Sequence, residues 1–188
     1  TPSIVGAAHM IAAGIAWGNE TIGFIADCRP AMAGMSTTVT AVALGDDGYV
    51  VANLGDSRTY LLRGGTLTQL TRDDSWVQLM IDSGELTAAQ AREHPRRSLV
   101  LAALDGEPDR RPVLTNFDAR PGDRLLLCSD GLSDVVDDAT IEATLGEVAD
   151  RAACAARLIA LALDAGGRDN VSAVVADVGE RRDPVDAW

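Results

Sequence analysis

Aspartates follow apolar segments at three separate places in the chain. Asp56 ends the segment VVANLGD, Asp130 ends LLLCSD, and Asp169 stands in GGRDN directly before VSAVVADV. Each lies where a predicted strand meets a turn that contains glycine. Carboxylates rarely lie beside buried strands unless they are paired or bind a metal, because taking an isolated anion out of water is costly. Asp134, four residues after Asp130, adds a further acid to the same region.

Acids that converge without balancing cations favour a bound metal. Ligation by oxygen alone selects Mg²⁺ or Mn²⁺ over Zn²⁺, which normally brings His or Cys ligands. Neither histidine of the chain lies in these three motifs. The alternative is ordinary turn chemistry, in which Asp bonds its own backbone and Gly supplies a positive φ. Any one of the three acids, taken alone, is more often a turn residue than a ligand.

Composition narrows the class of protein. A chain of 188 residues is one domain, or at most two, and can bury a sizeable core. Its formal net charge of -12 argues against nucleic acid and membrane surfaces as partners. The odd number of cysteines, three, predicts a reducing compartment, and we expect a cytoplasmic protein. The apolar opening segment has no basic region before it and predicts neither a signal peptide nor a membrane span.

Helices and strands are predicted in separate groups. Apolar spacing predicts a helix over residues 4–25, helices within residues 75–92 that break at Gly84 and restart after an N-capping Thr87, and helices over 138–145 and 149–165. Strands are predicted at 37–44, 49–54 and 57–63 as an antiparallel meander, near 99–103, and at 113–118, 123–128 and 171–178. This grouping favours an α+β layer fold over alternating βαβ units.

Five stretches together resemble the metal-dependent Ser/Thr protein phosphatases of the 2C type in their compact bacterial form. They are GMSTT (34–38), ANLGDSRTYLLRGG (52–65), the segment 73–106 that contains SGELTAAQAREHPRRS, GDRLLLCSDGLSDVV (122–136) and GRDNVSAVVADV (167–178). The resemblance implies a β-sandwich of two antiparallel sheets flanked by helix pairs, with metals at one end. It also implies one catalytic domain over residues 1–178. The composition of residues 179–188, GERRDPVDAW, predicts a disordered tail.

Roles for individual residues follow from this resemblance. It implies that Asp130 and Asp169 are ligands of a catalytic pair of Mg²⁺ or Mn²⁺ ions and that Asp56, Asp130 and Asp134 hold a third metal. The resemblance also implies that Asn170 contacts Asp169 and helps to orient it as a metal ligand. The implied reaction is hydrolysis of phospho-Ser or phospho-Thr by a metal-activated water, without a phosphoenzyme. The implied partners are phosphorylated Ser/Thr proteins and a Ser/Thr kinase whose action the protein opposes.

Residues 73–106 resemble the flap of the bacterial members, which borders the cleft. His94 and the pair Arg96 and Arg97 lie in it. A turn before Pro95 with two solvated cations is the more frequent interpretation of these residues, and arginines that contact phosphate are the alternative.

The family's opening motifs are missing from this sequence. They are a strand pair with a phosphate-binding Arg, an acidic motif, and an Asp-Gly-x-Gly-Gly turn whose Asp bridges the catalytic metals. We therefore expect a fragment, a clipped product or a chain made without the first strands, with weak metal binding and little hydrolysis. We also expect uncovered sheet edges, so that a second chain supplies or covers the missing strands or the chain self-associates.

Two other functions stay open at this point. A noncatalytic pseudophosphatase or binding module with the same fold is favoured by the missing motifs, whereas the four retained aspartates favour the enzyme. A phosphatase of anti-anti-sigma factors shares the sandwich but fits the flap sequence less well.

Overall fold

The computed structural model describes residues 2–46 and 48–179. The helices are α1 (Ile4–Cys28), α2 (Trp76–Asp82), α3 (Ala88–Glu93), α4 (Asp130–Ser133), α5 (Asp138–Glu147) and α6 (Arg151–Asp164), with a 3₁₀ turn at Pro30–Met32. The strands are β1 (Val39–Leu44), β2 (Gly48–Leu54), β3 (Arg58–Arg63), β4 (Thr66–Gln69), β5 (Val113–Asp118), β6 (Arg124–Cys128) and β7 (Ala173–Asp177). The predicted tail lies almost entirely outside the described residues.

The strands form two antiparallel sheets. One has the order β1-β2-β5 and the other β4-β3-β6-β7. The predicted meander was wrong, because β2 and β3 belong to different sheets and the chain crosses between them at Gly55–Ser57. There Gly55 has a φ of 106°, which L side chains rarely adopt. The strand predicted near 99–103 does not form either. Val100 makes an isolated bridge with Ser75, and Leu104, just after this segment, makes one with Thr37.

The two sheets pack face to face around an apolar layer. Tyr49 and Val51 of β2 lie against Leu61 of β3 and Leu125 of β6, and all four are at most 6% exposed. Two hydroxyl pairs also join the sheets, Thr40 with Thr59 at 2.8 Å and Thr38 with Ser57 at 2.9 Å. The α+β sandwich predicted from the resemblance is therefore confirmed.

Helices cover the outer faces of the sandwich. A second apolar core lies between β6 and helices α4, α5 and α6, and its fully buried members include Leu126, Leu132, Ile141 and Leu158. On the other side α1 packs through Ile15 against Ala52 and Leu54 of β2. The opposite side of α1 leaves Trp17 71% and Phe24 69% exposed.

The flap segment contains two short capped helices. The Ser75 hydroxyl accepts from the Gln78 N–H at the start of α2, and Thr87 and Gln90 form a reciprocal capping box at the start of α3. The predicted break at Gly84 and restart at Thr87 are both present.

Within residues 2–46 and 48–179, none of the helices combines the length and the hydrophobicity that a membrane span requires. All three cysteines are free, and Cys128 and Cys154 are buried.

Candidate functional site

The pairing register of the second sheet brings three chain segments to one end of the sandwich. Arg58 at the start of β3 is opposite Cys128 at the end of β6, and Cys128 is opposite Ala173 at the start of β7. Asp56 comes shortly before Arg58, Asp130 shortly after Cys128, and Asp169 shortly before Ala173. Strand pairing therefore brings acids as far apart in the sequence as Asp56 and Asp169 to the same end of the sheet.

The short helix α4 sets the distance between Asp130 and Asp134. The Asp134 N–H donates to the Asp130 carbonyl at 2.8 Å, which places the two acids one helical turn apart on the same side. The Asp130 carboxylate also accepts from the Gly131 N–H at 2.8 Å, so it holds the first turn of the helix that carries it.

The loop that carries Asp169 packs directly on α4. A Cβ at Gly131 would collide with the backbone carbonyl of Asn170, so only glycine fits at position 131. The Ser129 hydroxyl joins the same loop, since it donates to the Asn170 carbonyl at 3.3 Å and accepts from the Ser172 N–H at 3.0 Å. These contacts fix the Asp169 segment against the Asp130 segment.

Asn170 contacts Asp169 through its backbone. Its N–H donates to Oδ1 of Asp169 at 2.6 Å. No hydrogen bond from the Asn170 side chain is found among the described residues, and its proposed supporting role stays a prediction.

Asp56 is held by the beginning of the flap. Oδ2 of Asp74 accepts from the Gly55 N–H at 3.0 Å, and the Asp74 N–H donates to the Gly55 carbonyl at 2.9 Å. A Cβ at Gly55 would meet the Thr38 side chain, which brings the GMSTT segment against the same turn. Asp56 is only 8% exposed as a result.

The four predicted aspartates lie around two neighbouring pockets. A pocket of about 130 Å³ is lined by Asp130, Asp134 and Asp169 together with Arg97 and Arg168. A second pocket of about 170 Å³ is lined by Asp56 and Asp134, again with Arg97, and by residues of α2 and α3. Asp134 and Arg97 belong to both linings and so stand between the two pockets.

Burial and neighbouring negative charge raise the pKa of two of these acids. Burial, followed by the charge of Asp130, raises the pKa of Asp56 to about 6. Burial and the charge of Asp130 also raise the pKa of Asp134, against the opposing effect of Arg58 and Arg97. A carboxylate whose ionisation is opposed by its neighbours is stabilised by a cation placed among them.

The acids are not arranged closely enough to form a complete set of metal ligands. Across residues 2–46 and 48–179, no three His, Cys, Asp or Glu side chains are placed so that they could hold an ion by themselves. The metal-binding roles of Asp56, Asp130, Asp134 and Asp169 therefore stay predictions. Ser133 adds an observation of another kind, since it is 7% exposed, lines the second pocket, and its Oγ has no hydrogen-bond partner among the described residues.

Sequence reasoning missed a buried ion pair that supports this end of the sandwich. Arg58 donates to both carboxylate oxygens of Asp73, with the shortest contact at 2.7 Å, and also to the Tyr60 hydroxyl at 3.0 Å. Gln69 donates to Asp73 at 3.0 Å as well. Both charged residues line the second pocket. The only signal in the sequence was their place in the GDSR and RDDSW segments.

The two flap arginines have different surroundings. The Arg96 guanidinium lies 5.3 Å from the ring centre of Trp76, and the same ring packs against His94 at 4.8 Å. Nδ1 of His94 accepts from the Arg96 N–H at 3.1 Å, so His94 supports a turn. Arg97 instead lines both acidic pockets and makes no side-chain hydrogen bond to another described residue.

Comparisons with known proteins agree with this architecture. Residues 24–162 match the family described as Protein phosphatase 2C. The chain is 49% identical over 161 residues to the Ser/Thr protein phosphatase PstP of Mycobacterium tuberculosis and 35% identical over 161 residues to the Ser/Thr phosphatase stp of Listeria welshimeri. These matches cover 86% and 85% of this chain.

A solved structure matches at the level of the fold. The crystal structure of the PstP catalytic domain in complex with two manganese ions superposes with a TM-score of 0.84 at 45% identity, over 90% of this chain and 70% of that domain. The chain spans 31% of the curated PstP and 63% of the Listeria phosphatase.

Proposed function

Since the chain belongs to the protein phosphatase 2C family, we propose that it carries the acidic site of a metal-dependent protein Ser/Thr phosphatase. The observation that carries the proposal is the convergence of Asp56, Asp130, Asp134 and Asp169 around two adjoining pockets at one end of the sandwich. The matching proteins of Mycobacterium tuberculosis and Listeria welshimeri are named Ser/Thr phosphatases.

The donor set fits hard divalent ions. The acids supply oxygen only, the pKa of Asp56 is raised to about 6 by burial and by nearby negative charge, and Ser133 leaves a buried hydroxyl unpaired at the same place. Mg²⁺ or Mn²⁺ would bind beside Asp130, Asp134 and Asp169 in one pocket and beside Asp56 and Asp134 in the other, with water molecules completing the coordination. A divalent ion supplies a lowered pKa for a water molecule and neutralises charge on the phosphoryl group.

The protein's own residues have defined tasks in this proposal. Asp130 and Asp169 keep their relative position through the Gly131–Asn170 contact, and Asp134 follows one turn later. Arg97 faces the pockets with a fixed positive charge, which suits a dianionic phosphoryl group that the acids alone would repel. Cys128 is no candidate nucleophile, because burial raises its pKa to about 12.

Substrates, partners and compartment belong to the same proposal. The substrates are proteins phosphorylated on Ser or Thr, with a Ser/Thr kinase as the opposing enzyme. The three free cysteines support a cytoplasmic location. A pseudophosphatase with the same fold is the outcome to exclude by experiment.

Hydrolysis of a phosphothreonine peptide by the purified chain tests the proposal. We expect slow release of phosphate that requires Mn²⁺, stops with chelator and is abolished by Asp130→Asn. An Asp109→Asn variant, altered at an exposed acid away from both pocket linings, serves as the control and should match the parent chain. Release that continues in chelator, or that survives in Asp130→Asn, would contradict the assignment. Absence of both Mn²⁺ binding and turnover would favour the pseudophosphatase.

A further inference from the structure

Two arginines line the pocket that Asp130, Asp134 and Asp169 share. Arg97 comes from the flap, and Arg168 comes from the loop before β7, where it directly precedes Asp169 in the GGRDN segment. Positive charge therefore reaches this pocket from two separate segments of the chain.

The Arg168 guanidinium is available to a ligand. Among residues 2–46 and 48–179, seven arginines form ion pairs with aspartates, including exposed pairs such as Arg120 with Asp118. Arg168 makes no ion pair or side-chain hydrogen bond with any described residue, although three carboxylates line the same pocket. Its charge and its N–H donors can therefore be used by an anion that enters the pocket.

The loop that carries Arg168 is anchored on both sides. Before it, Gly167 has a φ of 50°, and its N–H donates to the carbonyl of Ala162 in α6 at 3.1 Å. After it, the Asn170 carbonyl accepts from the Ser129 hydroxyl at 3.3 Å. The body of the sandwich, and not the flap, therefore holds the backbone of Arg168.

A bound metal ion changes the sign of the charge on the pocket lining. Three aspartates and two arginines give this lining a net negative charge, which repels a phosphoryl dianion. One divalent ion makes the net charge positive. The arginines then add planar pairs of N–H donors, which match the oxygens of a phosphate group. The lining therefore suits a phosphate monoester that binds together with the metal.

The size of the pocket restricts the ligand further. Its volume of about 130 Å³ is well below the roughly 300–1,000 Å³ of pockets that enclose a whole drug-sized molecule. It accommodates a single small group, such as one phosphoryl group, while the remainder of a peptide lies outside. Arg97 and Arg168 would then contact the same group.

From these observations we propose that Arg168 is a substrate-binding residue, which donates hydrogen bonds to the phosphoryl oxygens of a phosphate monoester together with Arg97. The inference rests on the proposed phosphatase function, because the bound divalent ion is needed to attract the anion. Arg168 is held by the body of the protein and sets the position of the phosphoryl group, whereas Arg97 reaches the same group from the flap. Its contribution is to affinity for the phosphoryl group, since no bond to Arg168 forms or breaks.

Calorimetric titration with inorganic phosphate in saturating Mg²⁺ tests the inference. Phosphate is the product of the proposed reaction, so the measurement reports binding without turnover. We expect Arg168→Ala to bind phosphate about tenfold or more weakly than the parent chain, because a charge-assisted bidentate contact is lost. Arg168→Lys should recover part of the loss, since it keeps the charge but not the planar donor pair. Arg157→Ala removes an exposed arginine of α6 that lines neither acidic pocket, and it should bind phosphate like the parent chain.

Two further measurements distinguish binding of the substrate from support of the Asp169 loop. Titration with Mg²⁺ alone should give Arg168→Ala an affinity at least equal to that of the parent chain, because the substitution removes positive charge from the lining. With a phosphothreonine peptide as substrate, Arg168→Ala should raise KM about tenfold and change kcat much less. A residue that only held the loop would lower Mg²⁺ affinity and kcat together.

The inference and the proposed function can fail separately. If the parent chain binds Mg²⁺ but binds no phosphate, or if Arg168→Ala binds phosphate like the parent chain, the inference is wrong and the proposed function stands. Loss of Mg²⁺ affinity in Arg168→Ala to the same extent as phosphate affinity would also overturn it, since Arg168 would then act on the loop. Absence of Mg²⁺ binding by the parent chain would overturn both.

Discussion

Gly131 lies so close to the carbonyl of Asn170 that no side chain can fit at position 131. This contact joins the helix that begins with Asp130 to the loop that carries Asp169. Glycine follows Asp130 because the two segments that carry Asp130 and Asp169 are in van der Waals contact at this position, which leaves no room for a side chain.

Gly131→Ala should therefore lower both stability and metal affinity. We expect a loss of about 1–3 kcal/mol in the free energy of unfolding, because the two segments must separate, and weaker Mn²⁺ binding for the same reason. Gly146→Ala is the control, since it lies in α5 with no atom near the added Cβ and should gain about 0.5–1 kcal/mol. Urea unfolding and calorimetric Mn²⁺ titration measure the two effects. Equal behaviour of both variants would contradict the packing argument.

The pair Arg58 and Asp73 should be important for stability. Asp73 is 5% exposed and accepts from Arg58 and Gln69, so Asp73→Asn leaves a half-buried guanidinium without its counter-charge. We expect a loss of about 3 kcal/mol in unfolding free energy. Asp82→Asn removes a partner of Arg72 from an exposed pair and should leave the melting temperature nearly unchanged. Thermal melts of the two variants side by side would show whether burial makes the difference.

Low pH should destabilise the folded protein through protonation of Asp123. Burial raises the pKa of this carboxyl, but hydrogen bonds from Arg63 and from the Arg120 N–H outweigh burial and lower it below its usual range. A lowered pKa in the folded state contributes stability above the unfolded pKa of about 3.9, and this contribution is lost as the pH falls through the folded value.

The check on Asp123 is urea unfolding of the parent chain and Asp123→Asn from pH 7 to pH 3. The difference in unfolding free energy should be constant at neutral pH and shrink once the pH falls below about 4. A difference that stays constant to the lowest pH would mean that the ion pair with Arg63 is not its source.

Arg97 should compete with divalent ions. Its guanidinium lines both acidic pockets and opposes the raised pKa of Asp134, so it also repels a cation placed there. We expect Arg97→Ala to bind Mn²⁺ about two- to fivefold more tightly at low salt, with the gain reduced by added salt. Arg96→Ala, which removes the charge stacked on Trp76, should bind Mn²⁺ like the parent chain. Equal Mn²⁺ affinities of the parent chain, Arg97→Ala and Arg96→Ala would show that the charge of Arg97 does not affect cation binding at the acidic pockets.

Local signals in the sequence predicted local structure well. The N-cap at Thr87, the break at Gly84 and the long first helix depend on neighbours within a few residues and are present in the structure. Sheet partners depend on contacts between distant segments. For that reason the alternating pattern of residues 49–63 could not show that β2 and β3 enter different sheets, nor that β4 pairs with β3.

The same limit applies to the candidate site. The positions of the aspartates at strand ends were evident from the sequence, because each follows or precedes an apolar run. Their supporting residues were not, since Arg58, Asp73 and Asp74 gain their roles only when the flap folds back on the turn at Gly55. The different surroundings of Arg96 and Arg97 likewise depend on where Trp76 lies.

Calorimetric titration of the metal-free chain with Mn²⁺ at pH 7.5 tests the central claim most directly. If the aspartates form a cation site, the parent chain and Asp109→Asn should bind Mn²⁺ with the same affinity, and Asp130→Asn and Asp134→Asn should each lose about tenfold or more, because each removes a charge from the pocket lining. Mn²⁺ affinity that is unchanged in Asp130→Asn and Asp134→Asn, or no Mn²⁺ binding by the parent chain, would contradict the account.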